Sequence, residues 1–309
     1  MARRDKRTGL FYELAAKFSV LRSDADQIVC CPLCLREFPF EAIEQLRAEH
    51  IVSEKLGGRS QTLTCFDCNS GHGTTLDSQL ISAMKAMDSI EGTEPIPTMM
   101  SNPKGRIAAD LLLPVVSKTA PITLQVIGKA SSPAATEDLR NNLAPGFELT
   151  LHMRFGFIPE RYWRAVLRSA YLAVFQAEGY QYVFSAGAAR VRGVVNGTAP
   201  VRANIIMEAF PEQEPPGDLL VMPHAFNDVG ECFTVLLRLR SKRTRYLAVF
   251  LPGKHGSDWD LLGTLYEHAT RLRIETKPHE WDSTLIINLG YDPVAEFRKG
   301  RHLLNRLLR

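Results

Sequence analysis

Two pairs of closely spaced cysteines constrain the fold of this chain more than any other sequence feature. Each pair has the spacing Cys-x2-Cys, and thirty residues separate the pairs, whose members are Cys31, Cys34, Cys65 and Cys68. Two such turns can present four thiolates, which complete a tetrahedron around zinc and leave no open position for water. The sequence therefore predicts a structural zinc site.

The alternatives to a zinc site follow from the cellular setting. The N-terminal segment shows no secretory signal, so we expect a cytoplasmic protein with reduced thiols. Two matched pairs then favour a metal over disulfides, and over a thiol redox site, which needs one pair beside a βαβ pattern. Cys30 adjoins the first pair, but only Cys31 gives the two-residue gap to Cys34. The remaining alternative is that the four cysteines are buried thiols that bind no metal. We expect the isolated Cys232 to be such a buried thiol.

Polar residues suited to catalysis accompany these cysteines. Glu49 and His50 lie between the two pairs in a strand-like stretch, and Asn69 directly follows Cys68. Neighbouring residues of a strand point to opposite faces, so Glu49 and His50 cannot have the same role. One could bind a hard cation through oxygen while the other holds a water molecule.

The order of these residues resembles the HNH endonuclease family, in particular members with a four-cysteine zinc site. The resemblance covers residues 28–85, about a fifth of the chain. It rests on Cys31-x2-Cys34, Glu49-His50-Ile51-Val52, Gly57-Gly58, Thr62-Leu63, Cys65-x2-Cys68-Asn69-Ser70 and Leu76-Asp77. It implies a treble-clef-like ββα-metal fold, in which two short strands and a helix surround one catalytic divalent cation.

The resemblance also implies a role for each matched residue. His50 would be the general base that activates water. Glu49 and Asn69 would bind the catalytic cation, and their oxygen atoms suit Mg²⁺ or Mn²⁺. The reaction would be metal-assisted hydrolysis of phosphodiester bonds in nucleic acid, with DNA favoured as the substrate. The structural zinc would be a separate ion.

Three positions depart from the family pattern. Thr62 stands at or near the asparagine that orients the base, and we expect it to keep that role through one hydrogen bond. Ser53 replaces the proline that usually follows Glu-His-Ile-x. His72 stands where a basic residue often contacts phosphate, and it is expected to contact phosphate, to bind the cation as a third ligand or to cap the helix.

The whole chain predicts an α+β protein with two domains. We divide it into a basic arm and helix (1–27), an HNH-like zinc module (28–90), a linker (91–104) and a larger, β-rich α+β domain (105–309). The clearest helix is 159–178, and two more are expected over 257–272 and 293–308. Strands are expected over 106–116, 121–128, 147–156, 180–184, 188–195, 201–208, 231–239, 245–251 and 283–288.

The net charge of +3 neither requires nor excludes a nucleic-acid partner. One basic cluster is expected either to supply phosphate contacts or to be a solvated face, and it consists of Arg238, Arg240, Lys242, Arg243 and Arg245. No apolar run reaches the roughly 18–20 residues that span a bilayer, so no membrane association is expected. The alternative to an endonuclease is a non-catalytic, zinc-stabilised module that binds nucleic acid or protein. The joint presence of Glu49, His50 and Asn69 favours the enzyme.

Overall fold

The computed structural model describes residues 2–113, 123–142, 151–153, 156–201, 205–209, 211, 214–215, 217–226, 230–255 and 259. Their mixed helices and strands confirm the α+β class. They form two compact units. Unit 1 comprises the described residues of Met1–Ile81, Ile158–Arg240 and Thr244–Glu296, and unit 2 those of Ser82–Phe157 and Ser241–Arg243.

The N-terminal part of unit 1 consists of two helices and two small antiparallel hairpins. The elements are α1 Ala2–Ser19, β1 Ile28–Cys30, β2 Glu37–Pro39, β3 Leu46–His50, β4 Gln61–Cys65 and α2 Phe66–His72. β1 pairs with β2, and β3 pairs with β4. A π-helical segment, Gly73–Asp77, joins α2 to α3, which spans Ser78–Ile90. Such segments interrupt helices where a side chain must be redirected, often at functional sites.

Two glycines and a distant aspartate fix the loop between β3 and β4. Gly57 has a φ of +82°, and a Cβ at Gly58 would lie 1.8 Å from a backbone carbonyl oxygen. Asp218 accepts hydrogen bonds from the backbone N–H groups of Arg59 and Ser60, at 2.7 and 2.9 Å. It also accepts one from the Ser60 hydroxyl at 2.7 Å. The loop therefore depends on a side chain 158 residues further along the chain.

Unit 2 contains most of α3 and a four-stranded antiparallel sheet with a further helix packed against it. The elements are β5 Ile96–Asn102, β6 Gly105–Leu112, β7 Thr123–Val126, α4 Pro133–Asn142 and β8 Leu151–Met153. The strand order is β7-β6-β5-β8. A small core joins sheet and helix, and it contains Met100, Ile107, Ala109, Ala135 and Leu139. The segment 91–104, which we expected to be a linker, thus contains the strand β5.

The rest of unit 1 is a central helix, two shorter helices and a second antiparallel sheet. The elements are α5 Pro159–Glu178, α6 Tyr180–Val183, α7 Ala186–Val195, β9 Ile206–Ala209, β10 Leu219–Phe226, β11 Gly230–Arg240 and β12 Thr244–Pro252. The strand order is β10-β11-β12-β9. The predicted helix 159–178 is confirmed as α5, and every residue from Ala165 to Phe175 is buried. A helix covered on all sides is expected to be apolar around its whole circumference.

The strands predicted over 180–184 and 188–195 are wrong, because both segments are helical. Ser185 begins α7 by accepting a hydrogen bond from the backbone N–H of Ala188 at 3.1 Å. The buried alanine and valine residues of α7 recur at helical spacing. The β-branched valines have a context-dependent preference for strands, and packing of α7 against α5 overrides it.

Tyrosines of the central helix α5 and of the following helix α6 hold the first cysteine turn through its backbone. Tyr171 of α5 donates a hydrogen bond to the carbonyl oxygen of Pro32 at 2.6 Å. Tyr180 donates to the carbonyl oxygen of Cys30 at 2.7 Å and accepts from its N–H at 3.0 Å. Unit 1 therefore combines segments that we assigned from sequence to a zinc module and to a separate domain.

Some of the predicted elements lie wholly or mostly outside the residues that the structure describes. The helix over 293–308 and the strand over 283–288 lie there, and so does the helix over 257–272 apart from Trp259. Within the described part of the chain, no helix is both long and apolar enough to cross a membrane.

Candidate functional site

The four predicted zinc ligands meet at one point. The sulfur atoms of Cys31, Cys34, Cys65 and Cys68 all lie within 4.8 Å of one another. The first two cysteines occupy the turn between β1 and β2, and the last two lie at the junction of β4 and α2. The cluster could hold a metal ion such as zinc. The neighbouring Cys30 is buried, and burial raises the pKa of its thiol to about 12, so that side chain stays protonated.

The guanidinium of Arg36 stabilises negative charge on the sulfur atoms of this cluster. Its Nη2 lies 3.2 Å from the sulfur of Cys65, and its Nε lies 3.5 Å from the sulfur of Cys34. It also forms an ion pair with Asp67 at 2.6 Å. Hydrogen bonding by Cys31 lowers the pKa of Cys34 and Cys65, and Arg36 adds to both effects. The sulfur atoms of Cys34 and Cys65 are therefore disposed to bind a metal as thiolates, whereas hydrogen bonding with Cys34, Cys65 and Cys68 raises the pKa of Cys31.

The register of β3 and β4 places the predicted catalytic residues on two faces of the hairpin. Glu49 pairs with Thr62, whereas His50 pairs with Gln61. Because side chains alternate along a strand, each pair shares one face. On the Glu49 face, the side-chain amide of Asn69 from α2 donates a hydrogen bond to the Glu49 carboxylate. The two predicted cation ligands are thus in contact, and the predicted base is on the opposite face.

A residue outside the motif joins this arrangement. The guanidinium of Arg168, on α5, is fully buried and forms ion pairs with Glu49 and with Asp77. Its Nη1 lies 2.7 Å from Oδ1 of Asp77. Burial raises the pKa of both carboxyls, and the positive charge of Arg168 opposes each shift. We call Arg168, Glu49, Asp77 and Asn69 the Arg168 network.

Arg168 lies outside every predicted site, although its sequence setting contains a signal. Arg168 is a charged residue within the predicted helix, and the segment from Ala165 to Phe175 is otherwise uncharged. A charge in such a setting needs buried partners of opposite sign. Its partner Glu49 lies 119 residues away, so no local pattern identifies it.

Gln61, rather than Thr62, contacts the predicted base. The Nε2 atoms of Gln61 and His50 lie 2.5 Å apart. The Gln61 Oε1 atom is buried and has no hydrogen-bond partner among the described residues. If the oxygen and nitrogen of the Gln61 amide exchange places, Oε1 can accept a hydrogen bond from Nε2–H of His50. The Nδ1 atom of His50 then keeps a free lone pair. Gln61 is therefore the residue in contact with His50, and Thr62, expected to orient it, lies on the opposite face.

His50 is nevertheless electrostatically coupled to the Arg168 network. A proton on His50 would lower the pKa of Asp77, against the larger effect of burial.

His72 ends α2 and carries no charge at neutral pH. Burial, followed by the charges of Arg168 and Arg164, lowers its pKa to about 4. Its Nδ1 atom is buried and makes no hydrogen bond within the described part of the chain. A neutral imidazole can bind a cation, but it brings no positive charge to a phosphate. Among the three roles expected for His72, charge-based phosphate contact is thus disfavoured.

The basic cluster expected to bind phosphate is divided between the two units. In unit 1, Arg238 and Arg240 both pair with Glu214, at 2.8 and 2.9 Å, and Arg245 is only 5% exposed. The unit 2 members pair within unit 2, Lys242 with Glu94 at 3.0 Å and Arg243 with Glu91 at 3.1 Å. Four of the five basic side chains are thus paired with carboxylates, and the fifth is buried. The cluster is therefore a poorer phosphate-binding surface than its sequence suggests.

No protein-family model, curated protein or solved structure matches this chain. The resemblance to HNH endonucleases therefore stays a prediction from the motif residues of 28–85.

Proposed function

We propose that the chain is a metal-dependent HNH-type endonuclease that hydrolyses phosphodiester bonds of nucleic acid, with DNA as the expected substrate. The contact between Glu49 and Asn69 carries the proposal. These two motif residues come from β3 and α2 and meet where the resemblance requires a shared cation. The succession of hairpin β3–β4 and helix α2, with a cysteine pair at their junction, also supports a ββα-metal module.

The donor atoms on this face suit a hard cation such as Mg²⁺ or Mn²⁺. Glu49 offers a carboxylate and Asn69 an amide oxygen. Thr62, directly opposite Glu49, is 2% exposed, and its hydroxyl lacks a hydrogen-bond partner among the described residues. A cation bound by these oxygens would supply charge stabilisation for the scissile phosphate and the leaving 3′ oxygen. The sulfur cluster would hold zinc as a separate structural ion.

His50 is the proposed general base. It accepts a proton from the water molecule that attacks phosphorus. Gln61 orients the ring, because an amide oxygen that accepts from Nε2–H leaves the Nδ1 lone pair available for that proton. The neutral amide fixes the tautomer without adding a charge beside the imidazole.

A zinc-stabilised binding module without catalysis is the second candidate. The ion pair between Glu49 and Arg168 favours it, because a 4% exposed carboxylate paired with a guanidinium is already compensated without a cation. Such a module would bind nucleic acid or protein and leave it intact.

Incubation of supercoiled plasmid DNA with the full-length protein and Mg²⁺ or Mn²⁺ tests the proposal, with EDTA as the metal-free reference. We expect His50→Ala to lower the cleavage rate by roughly 10²–10⁴-fold, the usual contribution of a general base. His152→Ala is the matched control, because His152 is an exposed histidine on β8 of unit 2. Equal cleavage by the wild type and His50→Ala would contradict the proposal. DNA binding by a wild type that cleaves nothing would favour the second candidate.

The neighbouring positions identify which side chain orients the base. Gln61→Ala should slow cleavage more than Thr62→Val, because only Gln61 contacts His50. The reverse order would restore the role that the sequence assigned to Thr62.

A further inference from the structure

The central helix contributes a buried positive charge to the proposed cation site. Arg168 has no exposed surface, and its two ion-pair partners are also largely withdrawn from water, with side-chain exposures of 5% for Glu49 and 18% for Asp77. The arginine comes from α5, outside residues 28–85, so the HNH resemblance assigns it no role.

Charge balance explains why the two carboxylates can lie so close together. Glu49 and Asp77 repel each other, and the charge of Asp77 adds to the effect of burial in raising the pKa of Glu49. The guanidinium contributes one positive charge to this pair of negative charges. The network therefore carries one net negative charge instead of two.

Unsatisfied polar atoms surround the same carboxylates. The Thr62 hydroxyl, on the Glu49 face of the hairpin, and Nε of Arg168 are both buried and lack hydrogen-bond partners among the described residues. Buried polar atoms of this kind are normally paired. Of the two atoms, the Thr62 oxygen lies opposite Glu49 in the hairpin and is a further oxygen donor for a cation bound at Glu49.

We infer that Arg168 is an internal counter-cation for Glu49 and Asp77: it holds the two carboxylates together without a divalent ion, and it lowers the affinity of such an ion for Glu49. The inference rests on the cation site of the proposed function. Arg168 acts through the carboxylates, so it is a positioning residue.

The expected size of the effect follows from Coulomb's law. A divalent ion bound at Glu49 would lie a few ångströms from the guanidinium. Removing that repulsion should strengthen ion binding roughly tenfold, even at the dielectric constant of water. The phosphate of a nucleic acid supplies a further negative charge, so the ion should bind more tightly with nucleic acid present.

Mn²⁺ titration of the full-length, zinc-loaded protein tests the inference without measuring activity. Free Mn²⁺ is followed by electron paramagnetic resonance, and thermal unfolding is recorded with and without Mn²⁺. Mn²⁺ suits this test because it prefers oxygen ligands and competes poorly for thiolates. Arg168→Met should bind Mn²⁺ roughly tenfold more tightly than the wild type, and Mn²⁺ should raise its unfolding temperature more.

Two single variants separate charge from packing. Arg168→Lys keeps the positive charge and should retain the wild-type Mn²⁺ affinity. Arg192→Met removes a partly buried arginine on α7 that hydrogen-bonds to Tyr171 and to the carbonyl oxygen of Val183, and it should also leave Mn²⁺ affinity unchanged. Unchanged or weaker Mn²⁺ binding by Arg168→Met would overturn the inference.

A double variant keeps the test decisive if Arg168→Met does not fold. Adding Asp77→Asn returns the network to one net negative charge, so the double variant should recover stability without Mn²⁺. A double variant as unstable as Arg168→Met alone would overturn the inference. If no variant, including the wild type, binds Mn²⁺, the proposed cation site fails as well. Wild-type binding that Arg168→Met leaves unchanged overturns this inference only.

Discussion

The cysteine cluster and the Arg168 network both belong to unit 1, but they are assembled over very different distances along the chain. All four cysteines lie within the 38 residues from Cys31 to Cys68. Arg168 lies 119 residues from Glu49 and 91 from Asp77. Two short turns and one hairpin bring the sulfur atoms together, whereas the network exists only once α5 has packed beside the hairpin.

The two regions also differ in how their charge is compensated. Four thiolates need a metal ion, because Arg36 alone cannot neutralise them. The network already contains a guanidinium that pairs with both of its carboxylates. Metal removal should therefore affect the cluster most, and loss of a protein partner should affect the network most.

Loss of a cysteine ligand should have the largest effect and tests the first half of this contrast. The wild type should contain about one zinc per chain. In small zinc modules the metal contributes about 10–16 kcal/mol to folding, which rivals the whole stability of a domain. We expect Cys68→Ser to lose the zinc and the cooperative unfolding of unit 1, measured by elemental analysis and circular dichroism.

The adjacent cysteine provides the control for this variant. Cys30→Ala should keep the zinc, because Cys30 is outside the four-sulfur group. Zinc lost from Cys30→Ala would show that Cys30, and not only the four-sulfur group, takes part in binding the metal.

Removal of one carboxylate tests the second half of the contrast and should have the next largest effect. Glu49→Ala leaves the fully buried Arg168 with one partner fewer, which should cost about 3–5 kcal/mol in the free energy of unfolding. Glu44→Ala removes a glutamate of the same region that pairs with Arg7 at 2.5 Å but is 66% exposed. That control should lose at most about 1 kcal/mol. Urea unfolding measures both losses. If the two variants lose similar free energies of unfolding, the Arg168 network is no more important for stability than an ordinary surface ion pair.

Asp218 provides a smaller and pH-dependent test of how far the hairpin relies on distant residues. Burial opposes ionisation of this carboxyl, but the hydrogen bonds from Ser60 and from the N–H of Arg59 outweigh burial and lower its pKa. Its stabilising contribution is complete above the unfolded-state pKa of about 3.9 and is lost as the pH falls through the lower folded-state value.

Asp218→Asn should therefore cost about 1.5–3 kcal/mol at pH 7 and progressively less below a pH of about 4. Urea unfolding of the variant and the wild type across this range measures the difference. A loss that is the same at every pH would mean that the charge of Asp218 does not stabilise the loop.

Short-range patterns were sufficient for several features of this protein. The spacing of the cysteines predicted the sulfur cluster, because ligands on two tight turns need little tertiary structure to meet. The apolar periodicity predicted α5 with its observed bounds, because a long buried helix repeats its pattern many times. The α+β class followed from the alternation of such patterns.

Tertiary structure alone decided the features in which partners are remote or local preferences are weak. The register of β3 and β4 placed Gln61, not Thr62, beside His50. Packing made α6 and α7 helical despite their strand-like residues, and it joined the cysteine turns to α5 in one unit. The sequence contains Arg168 as a charge in an apolar helix, but only folding selects Glu49 and Asp77 as its partners. A buried charge requires compensation, and the identity of the compensating group depends on which distant segments pack together.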